Sequence, residues 1–389
     1  MIIVMDALIN LEMLKWARLR SGLTIEAVAN KFKKTPKDIE LWESGDKKLS
    51  FKQLLRIAEI YKRPIPLFYL KEPPEDFQSL NDYRKLPNTE LPISPQLNYE
   101  IRKAHYRRQV ALELLEGSAE HLQVLKSDIQ VTDDPEAVGI KIRSKLCIEY
   151  TEQIKWKEDN EAFNSWRNAI ESLGILVFQA ERVEVSEMRG FAISDYPLPA
   201  IVVNKKDTHK GRIFSMMHEL AHIFLGDSSI SGEDLYFEQE KIEVFCNQVA
   251  ASILLPSTWF DNDELLLDIK NSNKWDDEAV DIIAQRFNIS RESVWRRLLT
   301  NNIISQDVYR QKRDQLIEQY KIQKRQKNER KPIIVPHHTK VISTIGKFYA
   351  KLVLSSYHEE KITSSTLSEY LGIKLKHLPK IETSMLRGN

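Results

Sequence analysis

The sequence predicts a mainly α protein with a small β-sheet, an α+β chain of 389 residues. Apolar residues recur at helical spacing through most of its length. Only three short runs, Ile175–Gln179, Gly190–Ser194 and Ala200–Asn204, read as strands between polar, Gly and Pro breaks. No internal repeat is present, which argues against a solenoid or propeller.

Residues 10–70 are expected to form a five-helix bundle. Leu14, Ala17 and Leu23 open an amphipathic pattern, and Thr24 caps Ile25–Phe32. Thr35 and Pro36 start a third helix that stops at Gly45, after Trp42, Glu43 and Ser44. Ser50 caps Phe51–Tyr61, and Pro66–Leu70 closes the unit. Prolines 73, 74, 87, 92 and 95 make residues 71–96 an extended linker. Ile101–Lys126 reads as one long helix with Arg102, Lys103, Arg107 and Arg108 on a solvated face. Helices over Pro135–Leu146 and Glu161–Leu173 precede the sheet.

Beyond the strands, residues 261–308 contain Asp276–Phe287, then Ser290 and Val294–Leu299, a helix-turn-helix-like segment. Its Arg291, Arg296 and Arg297 are expected to serve packing more than nucleic acid. Residues 309–389 begin with a charged spacer helix, Lys312–Lys331. They end in a helical unit marked by Ile345–Leu354 and Leu367–Leu371, with no role assigned.

Net charge is +1, from 57 basic and 56 acidic residues, so any attraction to nucleic acid must be local. Cys147 and Cys246 are the only cysteines, which argues against a disulfide framework and suits a reducing, cytoplasmic setting. Cys246 reads as a small core residue. The apolar start Met1–Met5 is too short for a signal peptide. No run reaches the length of a membrane-spanning helix, so no membrane partner is expected.

His218-Glu219-Leu220-Ala221-His222 carries the chemistry. Histidines at i and i+4 share one helix face, roughly 6 Å apart along the axis. That separation lets two imidazoles reach one Zn2+ at about 2.0 Å. Glu219 stands between them, placed to take a proton from a water whose pKa the metal lowers toward about 7. A third ligand is sought on the helix that Pro256 ends. There Glu243, Asn247 and Ala250 recur at i, i+4 and i+7, a narrow stripe on an apolar helix. Two His and one Glu leave a fourth position open, as catalytic sites do. Asn247 would hold Glu243 or a nearby backbone group. Mn2+ or Fe2+ also suit such a donor set.

These two segments, Arg212 to His222 and Glu243 to Pro256, resemble the ImmA/IrrE metallo-endopeptidases. Pro199–Asn204 resembles that family's strand before the active helix, and Ala284–Ser290 through Leu299 its following helix-turn-helix segment. The resemblance implies a zincin-like metallopeptidase core over 97–260, with His218, His222 and Glu243 holding zinc and Glu219 as general base. Cys246 and Val249 depart from the family's usual Ala and Phe. The implied substrate is a repressor or antitoxin-like protein. An extended substrate could add to the edge of the Ala200–Asn204 sheet. His209, Arg212 and Tyr236 are candidates for oxyanion stabilisation.

Residues 10–70, from Leu14 through Trp42-Glu43-Ser44-Gly45 to Tyr61, resemble the XRE (Cro-type) helix-turn-helix repressors. That implies a third helix in the DNA major groove and a homodimer on two-fold operators. Pro36, Lys37 and Leu41 would face the bases, beside Asp38 and Glu40. Only Lys37 can donate to guanine, while Lys33, Lys34 and Lys47, with Lys31 and Lys48, could hold phosphates. Two rivals stay open: a DNA-binding regulator whose peptidase-like domain is a sensor or scaffold, and an antitoxin-type regulator that binds without cleaving.

Overall fold

The computed structural model describes residues 6–74, 94–116, 129–226, 235–328 and 335–386. The Met1–Met5 run, most of the Pro-rich linker, the end of the Ile101–Lys126 helix and Lys331 lie outside them. The chain is mainly helical with one three-stranded sheet, as predicted. It divides into two compact units, Met1–Tyr106 and Arg107–Asn389.

In the first unit, α1 (Leu11–Arg20), α2 (Ile25–Phe32), α3 (Pro36–Ser44) and α4 (Phe51–Tyr61) are followed by a 3-10 helix, Ile65–Tyr69. Local signals start each helix. Thr24 accepts from the Ala27 N–H at 3.2 Å, and Thr35 with Asp38 and Ser50 with Gln53 form capping boxes. Lys33 ends α2 in the left-handed conformation. The fully buried Met13, Val28, Trp42, Leu54 and Phe68 build the core. The Phe32 ring meets Trp42 edge-on at 5.2 Å. Arg18 ties α1 to α3 through Glu43 at 2.6 Å.

Helix α5 (Pro95–Leu115) comes next. Its Arg107 and Arg108 were expected on a solvated face, and the structure differs. Arg107 is buried with its guanidinium 5.4 Å from the Phe178 ring centroid. Arg108 donates to the carbonyls of Asp195, Pro197 and Leu198 at 2.8–3.0 Å. A guanidinium can satisfy several loop carbonyls at once, which helical periodicity does not reveal.

Helices α6 (Pro135–Leu146), α7 (Tyr150–Gln153) and α8 (Asp159–Ser172) lead into strands β1 (Leu176–Ala180), β2 (Gly190–Ile193) and β3 (Ala200–Asn204). The sheet order is β1-β3-β2, with β1 parallel and β2 antiparallel to β3. Ala200–Asn204 is therefore the central strand, and an added strand could pair only with β1 or β2. All five residues of both β1 and β3 are buried, consistent with strands covered on both faces.

Helices α9 (His209–Leu225) and α10 (Leu235–Leu254) pack against each other, and α9 also packs on the sheet. Helices α11 (Trp259–Asn262), α12 (Glu264–Ser272), α13 (Asp277–Arg286) and α14 (Arg291–Thr300) follow. The first part of α15 (Gln306–Asn328) is not a free spacer. Tyr309 is buried there, and Lys312 pairs with Asp277 at 2.8 Å and lies over Trp295.

Helices α16 (His337–Ile345), α17 (Lys347–His358), α18 (Ser364–Leu371) and α19 (Leu378–Leu386) end the chain, and α16 lies against β1. Arg167, on α8, donates to the Val177 carbonyl of β1 and, at 2.6 Å, to the Ser343 carbonyl of α16. Glu171 completes this buried knot by pairing with Arg167 at 3.2 Å and accepting the Phe348 N–H at 3.0 Å.

Candidate metal centre

Thr208 caps α9 by accepting from the Gly211 N–H at 3.0 Å, and Gly226 ends the helix. Apolar residues cover the sheet-facing side of α9, so His218 and His222 are held on a helix that cannot rotate. Pro256 stops the run of α10, where Ala250 and Ala251 are fully buried; small side chains let α10 approach α9 closely.

His218, His222 and Glu243 come together. The two Nε2 atoms are 3.1 Å apart. His218 Nε2 lies 3.2 Å from one Glu243 oxygen, and His222 Nε2 lies 3.4 Å from the other. Two donors each about 2.05 Å from a tetrahedral zinc lie roughly 3.3 Å apart. The three separations match that spacing, so the residues present fit a single ion.

Around this triangle, Asn247 donates to the Glu243 backbone carbonyl at 2.7 Å. Cys246 is fully buried in the core beside the triangle, as expected. His218 Nδ1 is buried without a partner among the described residues. Burial would lower the His222 pKa, but bonds with Cys246 and Glu243 outweigh it and hold the imidazole well above its usual value. Burial raises the Glu243 carboxyl and the two imidazoles overcome that, leaving it well below the usual carboxylate range. Glu219 is also buried, and desolvation raises its pKa against the pull of both histidines.

Gly190 is a functional position that the sequence reading missed. A Cβ there would stand 3.1 Å from Glu219 Oε1, so the glycine lets strand β2 pass directly over the carboxylate. A glycine opening a strand was the available signal.

Two oxyanion candidates are committed elsewhere. Arg212 bonds Gln179 and stacks on Phe163 at 4.6 Å, where burial pushes its pKa down to about 10. His209 packs edge-on against the same Phe163 at 5.9 Å. The Tyr236 side chain lies outside the described residues.

The cations proposed for DNA are placed less favourably. Lys33 and Lys37 are exposed, and Lys34 lies 5.6 Å over the Trp42 ring. Lys47 is held by Asp38 at 2.8 Å. In the second helix-turn-helix-like segment, Arg291 pairs with Asp281 and Arg296 with Glu292. Arg297 is buried against Glu136 and, at 2.6 Å, the Leu255 carbonyl.

A His2Glu cluster with a buried carboxylate beside it is the arrangement of a mononuclear metallohydrolase. Residues 170–299 match the family model Peptidase_M78, the IrrE N-terminal-like domain. That stretch is a metallopeptidase-type domain and contains every residue of the cluster. No curated protein matches the chain.

Proposed function

We propose that this chain is a zinc-dependent endopeptidase of the ImmA/IrrE type, which cleaves a repressor or antitoxin-like protein to control transcription. The observation carrying the reading is the triangle of His218, His222 and Glu243 at zinc-ligand spacing, with Glu219 buried beside it. Zn2+ held there would supply Lewis acidity toward a peptide carbonyl and lower the pKa of water to about 7. Glu219 is the general base: it takes the proton of the attacking water and returns it to the leaving amine. Its raised pKa moves it toward the operating pH, where acid–base transfer is most efficient. The substrate binds as an extended segment along β2, because Arg167 takes a β1 carbonyl and α16 lies against that strand.

Residues 10–70 are the DNA-binding part of this proposal. Lys33 and Lys37 reach phosphate or base edges directly, Lys34 can do so from its ring, and Lys47 must first release Asp38.

Zinc content tests the core of the reading. One equivalent in the wild type, falling in His218→Ala and in Glu243→Ala, is expected. A wild type that takes up no zinc when supplied with it would overturn the assignment. Glu219→Gln should keep the metal and abolish cleavage, followed by profiling new protein N-termini in cells. Unchanged regulation in that variant would replace the peptidase with the non-catalytic regulator.

A further inference from the structure

In the C-terminal unit a short turn joins helices α18 and α19. Helix α18 is capped by Thr363, which accepts from the Thr366 N–H at 3.2 Å. It ends at Gly372, left-handed with φ 65°. A Cβ at Gly372 would meet nothing within 4 Å, so glycine serves the turn and not a close approach. After Ile373 and Lys374, a 3-10 turn, Leu375–His377, runs straight into α19. Leu367, Leu371, Ile373 and Ile381 bury the inner side. The turn is thus three residues long and contains glycine, as in DNA-binding helix pairs.

The outer side of this turn is basic. Lys374, Lys376 and Lys380 are exposed and form no ion pair among the described residues. The His377 ring lies 4.8 Å from His337, and both line an open concavity of about 490 Å3 with Gly372, Ile373, Lys374 and Lys376. Of the nearby carboxylates, Glu382 is engaged by His358 at 3.1 Å. Glu369, on α18, also has a partner. Desolvation and then repulsion from His337, Lys376, Lys380 and Lys374 hold the His377 imidazole below its usual value. Positive charge is concentrated at this spot, in three lysines and the His337–His377 pair.

We propose that the α18–Gly372–α19 element is a second nucleic-acid site, which seats the phosphate backbone of duplex DNA on Lys374, Lys376 and Lys380. A three-residue connection containing glycine is the one that duplex-binding helix pairs use, which favours a duplex over a single strand. The concavity beside His337 and His377 receives a phosphate. This reading does not depend on proteolysis.

Binding of the full chain to a labelled 20-base-pair duplex of mixed sequence, across a salt series, tests it. Each lysine–phosphate contact contributes about 0.9 to the slope of log affinity against log salt. Replacing Lys374, Lys376 and Lys380 together by Gln should weaken binding on the order of tenfold or more at low salt. It should also make the slope shallower by roughly 2 to 3. Unchanged affinity and slope overturn the proposal.

Amine acetylation of the wild type, read residue by residue by mass spectrometry, needs no variant. Duplex should protect Lys374, Lys376 and Lys380; equal labelling with and without it overturns the site. Stronger protection by single-stranded RNA, or equal protection by inorganic polyphosphate at matched phosphate, overturns the duplex assignment.

Discussion

Helices α2–α3 and α13–α14 are built alike, each a short helix, a left-handed turn residue and a second capped helix. Lys33 makes the turn in one and Asn288 in the other. They differ in what lies beneath. The first pair rests on a small core of its own, whose largest buried member is Trp42. The second is part of the core around the metal centre, and Arg297, an apparent surface cation, reaches inward to Glu136 and the Leu255 carbonyl. The same local geometry therefore serves as a separate module in one place and as a buttress in another.

The sharpest test of that contrast is Trp42→Ala. Removing a fully buried indole should cost about 3–5 kcal/mol, enough to unfold residues 10–70. Zinc content should stay at the wild-type level, and its loss would show the two units to be coupled. Arg297→Ala should reverse the pattern. It leaves Glu136, partly buried, with only its Ser257 bonds and should destabilise the unit that holds the His2Glu cluster by about 3 kcal/mol, read as a lower melting temperature. The N-terminal bundle should melt unchanged.

Gly190→Val asks whether the buttressed half also positions the base. Crowding Glu219 should lower kcat on the order of 100-fold with the metal retained. Loss of the metal instead would mean that β2 supports the ligands themselves.

A pH titration compares the metal-free and loaded forms of the same unit. The raised His222 pKa makes its pairing with Glu243 stabilising below about 6.5. That contribution is lost as pH rises through the raised value. The depressed Glu243 pKa adds stability above about 4.3 that is lost as pH falls through its lowered value. Zinc needs the deprotonated ring, so metal affinity should rise with pH over the range where metal-free stability declines. Parallel trends in calorimetry and zinc titration would contradict the ligand assignment.

The smallest effects separate the two surfaces. Lys37→Ala should reduce the salt slope of DNA binding by about 1, whereas Arg291→Ala should leave it unchanged. Arg291 is already paired with Asp281, and its loss should cost no more than about 1 kcal/mol.

The helices and the clustering of His218, His222 and Glu243 were legible because their signals are local. Spacing alone places His218 above His222, and caps such as Thr24, Thr35 and Ser50 mark helix starts. Glu243 was reachable because Asn247 and Ala250 share its stripe. What escaped depends on residues far apart in the chain. The central place of β3 requires β1 to pair with it while skipping β2 in the sequence, and the closeness of Gly190 to Glu219 follows from that order. Arg167 and Glu171 sit at i and i+4, the spacing of an ordinary solvated pair. Nothing in that spacing reveals that α16 and β1 bury them. Arg107 and Arg108 misled for the same reason.

The knot at Arg167 has a consequence for solubility. Unpaired strand edges can template the addition of like strands from other molecules, and a three-stranded sheet has two. By occupying a β1 carbonyl with a guanidinium, the protein withdraws one edge from such growth. The remaining edge is only four residues long, opens on a glycine and borders Glu219. That edge offers little length on which a fibril could extend.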